Sequence, residues 1–256
     1  MSFVPAKVVF TKRLSESFYT TVFELLEPLP REPCPPQFVN VWIPRVDEIP
    51  LSIAWFEKGR IEVFYRVVGE GTSALSQLPI GAVVGIRGPI GRCLDLEALG
   101  DRVLGIAGGT GIAPLMFLAK IVRSRGKEFD VVWGVRRGSE LGEALELVKK
   151  RFNNVIVATE DGSYGYKGTV LEPLKLIDLY RYSAIVIAGP KAMERAVCVE
   201  LKRRGVDGIA ILEAMVKCGM GICGSCTLKP LPLLLCVDGP AFRCSEVLPH
   251  LESAGS

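Results

Sequence analysis

Four cysteines between Lys217 and Gly239 carry the most distinctive chemistry in this sequence. Cys218, Cys223 and Cys226 form a C-x4-C-x2-C run, and nine residues separate Cys226 from Cys236. That is the plant-type spacing of the thiolates that hold a 2Fe-2S cluster, three from one loop and the fourth from later in the chain. Gly219, Gly221 and Gly224 lie between them, where a chain wrapping an inorganic cluster needs positive φ and backbone amides aimed at sulfur. Zinc also takes four cysteines, although its sites usually build from paired C-x2-C knuckles, and free thiols can pack as small hydrophobes. Cys244 is a rival fourth ligand.

Two glycine-rich turns have the composition to face phosphate. Gly108, Gly109, Thr110 and Gly111 begin G-G-T-G-I-A-P, after the apolar run Arg102 to Ala107 and before a helix whose first turn tolerates Pro114. Ala188 to Met193, A-G-P-K-A-M, places Gly189 and Pro190 at the end of another strand. Neither is a G-x-G-x-x-G fingerprint, and glycines at a βα turn also serve tight packing alone. Arg136 and Arg137 follow a strand where basic side chains meet a 2′-phosphate or remain a solvated pair. The expectation is NAD rather than NADP. Nearer the N-terminus, P-L-S-I (Pro50, Leu51, Ser52) and F-Y-R-V-V-G-E-G-T (Phe64, Tyr65, Arg66, Gly71, Thr72) supply a hydroxyl, a cation and a Gly-Thr pair.

These stretches need elements to position them. Residues 1 to 97 contain six short β-branched or alternating runs, at 7–10, 19–25, 38–43, 52–56, 61–68 and 83–87, which predict a small antiparallel barrel. Prolines from Pro28 to Pro36 mark a loop, with Cys34 read as a loop thiol. Asp95 to Asp101 reads as a linker. Strands then alternate with helices: strands at 102–107, 129–135, 155–159, 184–188 and 209–212, helices at 115–125, 141–151, 171–180 and 191–204. This pattern predicts a doubly wound parallel sheet with ligands beyond its C-terminal edge. The expected division is a barrel domain over 1–97, an α/β nucleotide domain over 98–212 and a small 2Fe-2S module over 213–256.

Composition narrows the function classes. The 256 residues are 49% hydrophobic, enough for a sizeable core. Their net charge of +3 is spread out, without a basic block of the kind that tracks nucleic acid. No signal-like start or membrane-length apolar run is evident, so the expectation is a soluble cytoplasmic protein whose eight cysteines serve as thiols and metal ligands rather than disulfides. The single histidine, His250, reads as a solvated tail residue and leaves triads and His-ligated zinc without material. No catalytic side chain is assigned.

The ordered set P-L-S-I, Y-R-V-V-G-E-G-T, G-P-I-G (Gly88 to Gly91), G-G-T-G-I-A-P, D-G-S-Y-G (Asp161 to Gly165), A-G-P, E-A-M-x-x-C-G-M-G-I-C-G-S-C (Glu213 to Cys226) and C-V-D-G-P-A-F (Cys236 to Phe242) resembles the ferredoxin reductase superfamily. More closely, it is similar to the electron-transfer subunits of dihydroorotate dehydrogenases, along nearly the whole chain. The resemblance implies FAD in the barrel, held by Pro50 to Ser52, Phe64 to Arg66, Gly71 and Thr72. It implies a pyridine nucleotide at the two glycine turns and a 2Fe-2S cluster on Cys218, Cys223, Cys226 and Cys236. Two positions depart from the family: its arginine before P-x-S is Ile49, and its cysteine before G-P is Ala188.

The implied activity is that of an oxidoreductase subunit in pyrimidine biosynthesis, relaying electrons from an FMN-bearing catalytic subunit through 2Fe-2S and FAD to NAD in a hetero-oligomer. The similar small subunits of NADH-dependent ferredoxin:NADP oxidoreductases and sulfhydrogenases are the nearest alternative. A redox-sensing or scaffold subunit that has lost flavin is another. The apolar run Leu231 to Leu235 either meets a partner or packs internally.

Overall fold

The computed structural model describes residues 2–253. Six strands, β1 (Val4–Arg13), β2 (Phe18–Leu25), β3 (Phe38–Ile43), β4 (Asp47–Glu57), β5 (Arg60–Arg66) and β6 (Val83–Ile90), close into an antiparallel barrel in the order β1-β2-β5-β4-β3-β6. A helix absent from the sequence expectations, α1 (Glu70–Gln77), lies between β5 and β6. Closure satisfies every strand edge, and inward Val, Ile and Phe side chains such as Phe23, Val39 and Ile61 fill the interior.

After an irregular segment the chain alternates β7 (Arg102–Gly108), α2 (Ile112–Ser124), β8 (Glu128–Val135), α3 (Gly142–Arg151), β9 (Val155–Thr159), β10 (Tyr166–Lys167), α4 (Leu171–Leu176), β11 (Ala184–Ala188), α5 (Lys191–Arg203) and β12 (Ile209–Ile211). It ends with α6 (Leu235–Asp238), β13 (Ala241–Arg243) and α7 (Cys244–Glu252). The sheet order is β10-β9-β8-β7-β11-β12-β13, parallel except for the last pair. The single helix expected over 171–180 stops at Leu176, and a short 3-10 turn, Leu179–Arg181, follows.

Nine of the thirteen α2 residues are buried, because this helix packs against the sheet and the barrel together. Phe117 joins the barrel core while Leu115 and Met116 join the core under the sheet. Across the same contact Arg151 of α3 pairs with Glu62 of β5 at 2.8 Å and lies 3.7 Å from the Trp55 ring centre. Barrel and sheet are therefore held edge to edge by apolar packing and a half-buried ion pair.

Three expectations are corrected. Cys34 is no loop thiol but is bonded to Cys93, and Cys198 is bonded to Cys244, each with Cα atoms 5.4 Å apart. The partners stand 59 and 46 residues apart, a proximity created only by folding. His250 belongs to α7, and its Nδ1 lies 2.7 Å from the Lys229 carbonyl oxygen, which the helix's return to the cysteine loop makes possible. Of the two alternatives for the run Leu231 to Leu235, internal packing is seen: Leu231, Leu233 and Leu234 pack against the core of the sheet's second face, which Leu235 joins.

Candidate functional site

Strands β4 and β5 present Pro50, Leu51, Ser52, Phe64, Tyr65 and Arg66 to one cleft, and α1 adds Thr72. Thr110, Ala113 and Pro114 line the same cleft from the head of α2, as do Ile211 at the end of β12 and Leu212 to Ala214 after it. Val216 and Leu235, which flank the cysteines, complete it. Gly71 does not line the cleft; a Cβ there would lie 2.6 Å from Ile49 Cγ2, so the glycine lets α1 approach β4. The Thr72 hydroxyl accepts hydrogen bonds from the Val68 and Gly69 amides at 2.9 and 3.2 Å, closing the first turn of α1.

The polar groups of this cleft are few and fixed. Arg66 is its one cation among the described residues, ion-paired with the fully buried Glu140 and 5.1 Å from the Phe18 ring centre. Tyr65 shares a 3.1 Å hydrogen bond with Thr21, and burial pushes its pKa up to about 12, so it stays neutral. Glu213 lines the cleft and is exposed, yet desolvation by the surrounding protein raises its pKa. An apolar slot with hydroxyls and one cation suits a flavin ring and its phosphate tail. Ala188, where the family has cysteine, also lines the cleft, whereas Ile49 packs behind it against Gly71.

A second cleft is lined by Gly108, Gly109, Thr110, Pro190, Met193, Arg136 and Glu160, and it shares Arg66 and Thr110 with the first. Gly111 and Gly189 do not line it. They let the two turns interlock: a Cβ on Gly111 would stand 2.1 Å from the Ala188 carbonyl oxygen. The Trp133 indole N–H donates to the Gly109 carbonyl at 3.0 Å and holds the first turn. Under the second turn, the buried Glu194 carboxylate accepts from the Gly189 amide at 3.2 Å, and burial raises its pKa well above the ordinary range. Arg137 is turned away to Glu16 at 2.9 Å, so only Arg136 of that pair reaches the cleft.

The cysteines occupy the loop beside the first cleft. Gly219, Gly221 and Gly224 have φ of +67°, +77° and +70°, the conformation their positions predicted. Cys218 Sγ accepts from the Met220 and Cys223 amides, each at 3.4 Å. Cys223 has its pKa lowered to about 6, chiefly by a hydrogen bond from Ser225, whereas burial raises that of Cys236 to about 11. Cys226 and Cys236 are buried with sulfurs 3.3 Å apart. The thiols thus gather as two pairs, one shielded and one exposed, and among the described residues no three metal-binding side chains converge on a single ion. Two pairs of thiolates with amide donors suit two irons better than one zinc. Cys244, bonded to Cys198, is withdrawn from the set.

Sequence reasoning missed Glu140, Glu213 and Val216. Glu213 had a signal, since it directly precedes the cysteine run at the end of a strand; the S-E pair containing Glu140 had none.

Comparison with known proteins agrees with this arrangement. A family described as the iron-sulfur cluster binding domain of dihydroorotate dehydrogenase B matches residues 213–248, and an oxidoreductase NAD-binding domain matches 106–199. The chain is 39% identical over 84% of its length to a Methanocella arvoryzae protein named "Probable dihydroorotate dehydrogenase B (NAD(+)), electron transfer subunit", covering 81% of that protein. A Desulforamulus reducens dihydroorotate dehydrogenase B (NAD(+)) electron transfer subunit is 32% identical, with 95% of this chain and 97% of that one covered. Among solved structures, one of an NADH-dependent reduced ferredoxin-NADP oxidoreductase superposes with a TM-score of 0.82 at 27% identity, covering 96% of this chain and 92% of that chain. A Neisseria gonorrhoeae ferredoxin NADP+ reductase with bound FAD and NADP shares the fold, with a TM-score of 0.67 at 16% identity over 80% of this chain and 92% of that one. Relatives aligned along most of their own length, and a matched cluster domain where the cysteines lie, mean that this chain belongs to the electron transfer subunits of dihydroorotate dehydrogenase B.

Proposed function

We propose that this chain is the electron-transfer subunit of a dihydroorotate dehydrogenase complex, linking an FMN-bearing catalytic subunit to NAD by way of a 2Fe-2S centre and FAD. The observation that carries the reading is the single cleft lined by barrel strands β4 and β5, by Thr110 and Pro114 of the nucleotide turn, and by Val216 and Leu235 beside the cysteines. All three parts of the chain, 1–97, 98–212 and 213–256, serve that one space.

When bound, the flavin supplies exchange between one- and two-electron transfer while the cluster handles single electrons. The protein's residues supply position. Ser52 offers its hydroxyl, Arg66 its charge, and Phe64 and Leu51 an apolar surface that excludes water. Gly108, Gly109 and Thr110 place backbone amides at the head of α2, where a pyrophosphate is favoured, and Pro190 closes the opposite side. Gly111 and Gly189 act through the interlock of the turns. Cys218, Cys223, Cys226 and Cys236 hold the cluster. No acid-base side chain is required.

Exposed apolar side chains surround the cysteine loop: Met215, Met220, Ile222 and Val237 are 70%, 43%, 80% and 39% exposed. This face receives the catalytic subunit. Similarity to the ferredoxin-NADP oxidoreductase structure favours a second reading, a small subunit with a larger multi-cluster partner. Purification with associated subunits separates the two: an FMN-binding partner of similar size and dihydroorotate-dependent NAD reduction are expected, and a multi-cluster partner contradicts the proposal. Absence of flavin after reconstitution with FAD contradicts both and leaves the flavin-free scaffold.

A further inference from the structure

Arg87 of β6 is a barrel residue whose side chain, only 7% exposed, reaches out of the barrel into the cysteine loop. Its Nη1 donates to the carbonyl oxygen of Cys218, and its Nη2 donates to that of Lys217 at 2.8 Å. Nε donates to Glu48 Oε1 at 2.9 Å, making Glu48 of β4 its counter-ion. Asn40 of β3 joins the network, donating to Glu48 Oε1 at 2.7 Å. On the loop side Gly219 turns directly over this group; a Cβ there would stand 2.9 Å from Ile90 Cδ1 and 3.8 Å from Arg87 Nη1.

A buried guanidinium that spends two donors on consecutive carbonyls fixes the peptide planes at the start of a loop, because each lost partner would leave a desolvated charge or carbonyl. We propose that Arg87, with Glu48 behind it, is the positioning residue for the iron-sulfur loop: it anchors the peptide of the first cysteine to the flavin barrel and sets the reduction potential of the cluster by its charge. This rests on the reading that Cys218 is a cluster ligand. Adding an electron to the cluster makes it more negative, so a cation beside it favours the reduced form and an anion opposes it, strongly so in a water-poor site. Arg87 and Glu48 thus act in opposite senses. Arg87 also carries most of the mechanical link, with two bonds to the loop against a single longer one, from Asn40 Nδ2 to the Lys217 carbonyl at 3.5 Å, whereas Glu48 makes none to the loop among the described residues.

The test uses the full chain reconstituted anaerobically with iron, sulfide and FAD. Iron per chain, its loss to a chelator and the cluster midpoint from a spin-resonance redox titration are measured. Arg87→Gln is expected to lower the midpoint and Glu48→Gln, which keeps the side chain's shape and an oxygen that can accept from Arg87, to raise it. Arg87→Lys keeps the charge but cannot span both carbonyls, so the midpoint stays near wild type while iron leaves several-fold faster. Midpoints of Arg87→Gln and Glu48→Gln that are unchanged, or shifted in the same direction, overturn the electrostatic role; wild-type iron retention in Arg87→Lys overturns the anchoring role. Failure of the wild-type chain to retain two irons overturns instead the ligand reading on which the proposal stands.

Discussion

Glu194 carries a buried carboxyl whose one hydrogen bond is to the Gly189 amide, with Glu213 as a nearby like charge. Its folded pKa is raised above the ordinary 4.5, so the folded protein keeps a proton that the unfolded chain releases. The stability that this group contributes is therefore fully present below about pH 4.5 and lost as pH rises through its raised folded pKa. Glu194→Gln removes that loss: denaturant midpoints should match wild type at the acid end and exceed it at pH 8, and a variant equally sensitive to pH would refute the assignment. Arg66 makes the complementary case. As the one cation lining the flavin cleft it should contribute a charge-assisted contact of about 1.5–3 kcal/mol, so Arg66→Met weakens FAD binding about 10- to 100-fold by fluorescence titration. Pairing it with Glu140→Gln avoids stranding a buried carboxylate, whose separate cost is about 3–5 kcal/mol. The two candidate fourth ligands are separable too: Cys236→Ser should lose cluster iron, whereas Cys244→Ser, in its bond with Cys198, should retain it.

Helix α2 sets the geometry at the next scale, since it starts at the nucleotide turn and packs on barrel and sheet. Phe117→Ala removes its ring from the barrel core and should cost about 3–5 kcal/mol in urea unfolding; a loss below about 1 kcal/mol would mean that barrel and sheet are held together elsewhere. This element was legible in the sequence because a buried strand, a glycine turn and a first-turn proline are local signals, and β1 to β6 were legible from alternating β-branched runs. Helix α1 was not, because E-G-T-S-A-L-S-Q has weak helical propensity and depends on the Thr72 cap and on contact with β4. Helix α7 hid behind Pro249, and β13 has only three residues. The cysteine spacing announced its chemistry outright. Arg87, Glu140 and both cysteine bonds did not appear, because each joins residues dozens of positions apart that no local pattern relates.

At the scale of the molecule, the barrel, the parallel sheet and the cysteine loop are less three adjacent parts than the borders of one cleft. A second cleft shares Arg66 and Thr110 with it, so the space beside the two interlocked turns adjoins the flavin space at those two residues. On the other side, Val216 and Leu235 put the flavin space directly against the cysteines, and the exposed Ile222 and Met215 leave that loop open to a second protein. The proposed relay follows the order of these contacts. It is tested most directly by mixing dihydroorotate and NAD with the purified complex of this chain and the catalytic subunit proposed to carry FMN, after confirming FMN, FAD and iron. NADH should form in step with orotate. A complex that holds all three cofactors and oxidises dihydroorotate with an artificial acceptor, yet reduces no NAD, would contradict the account.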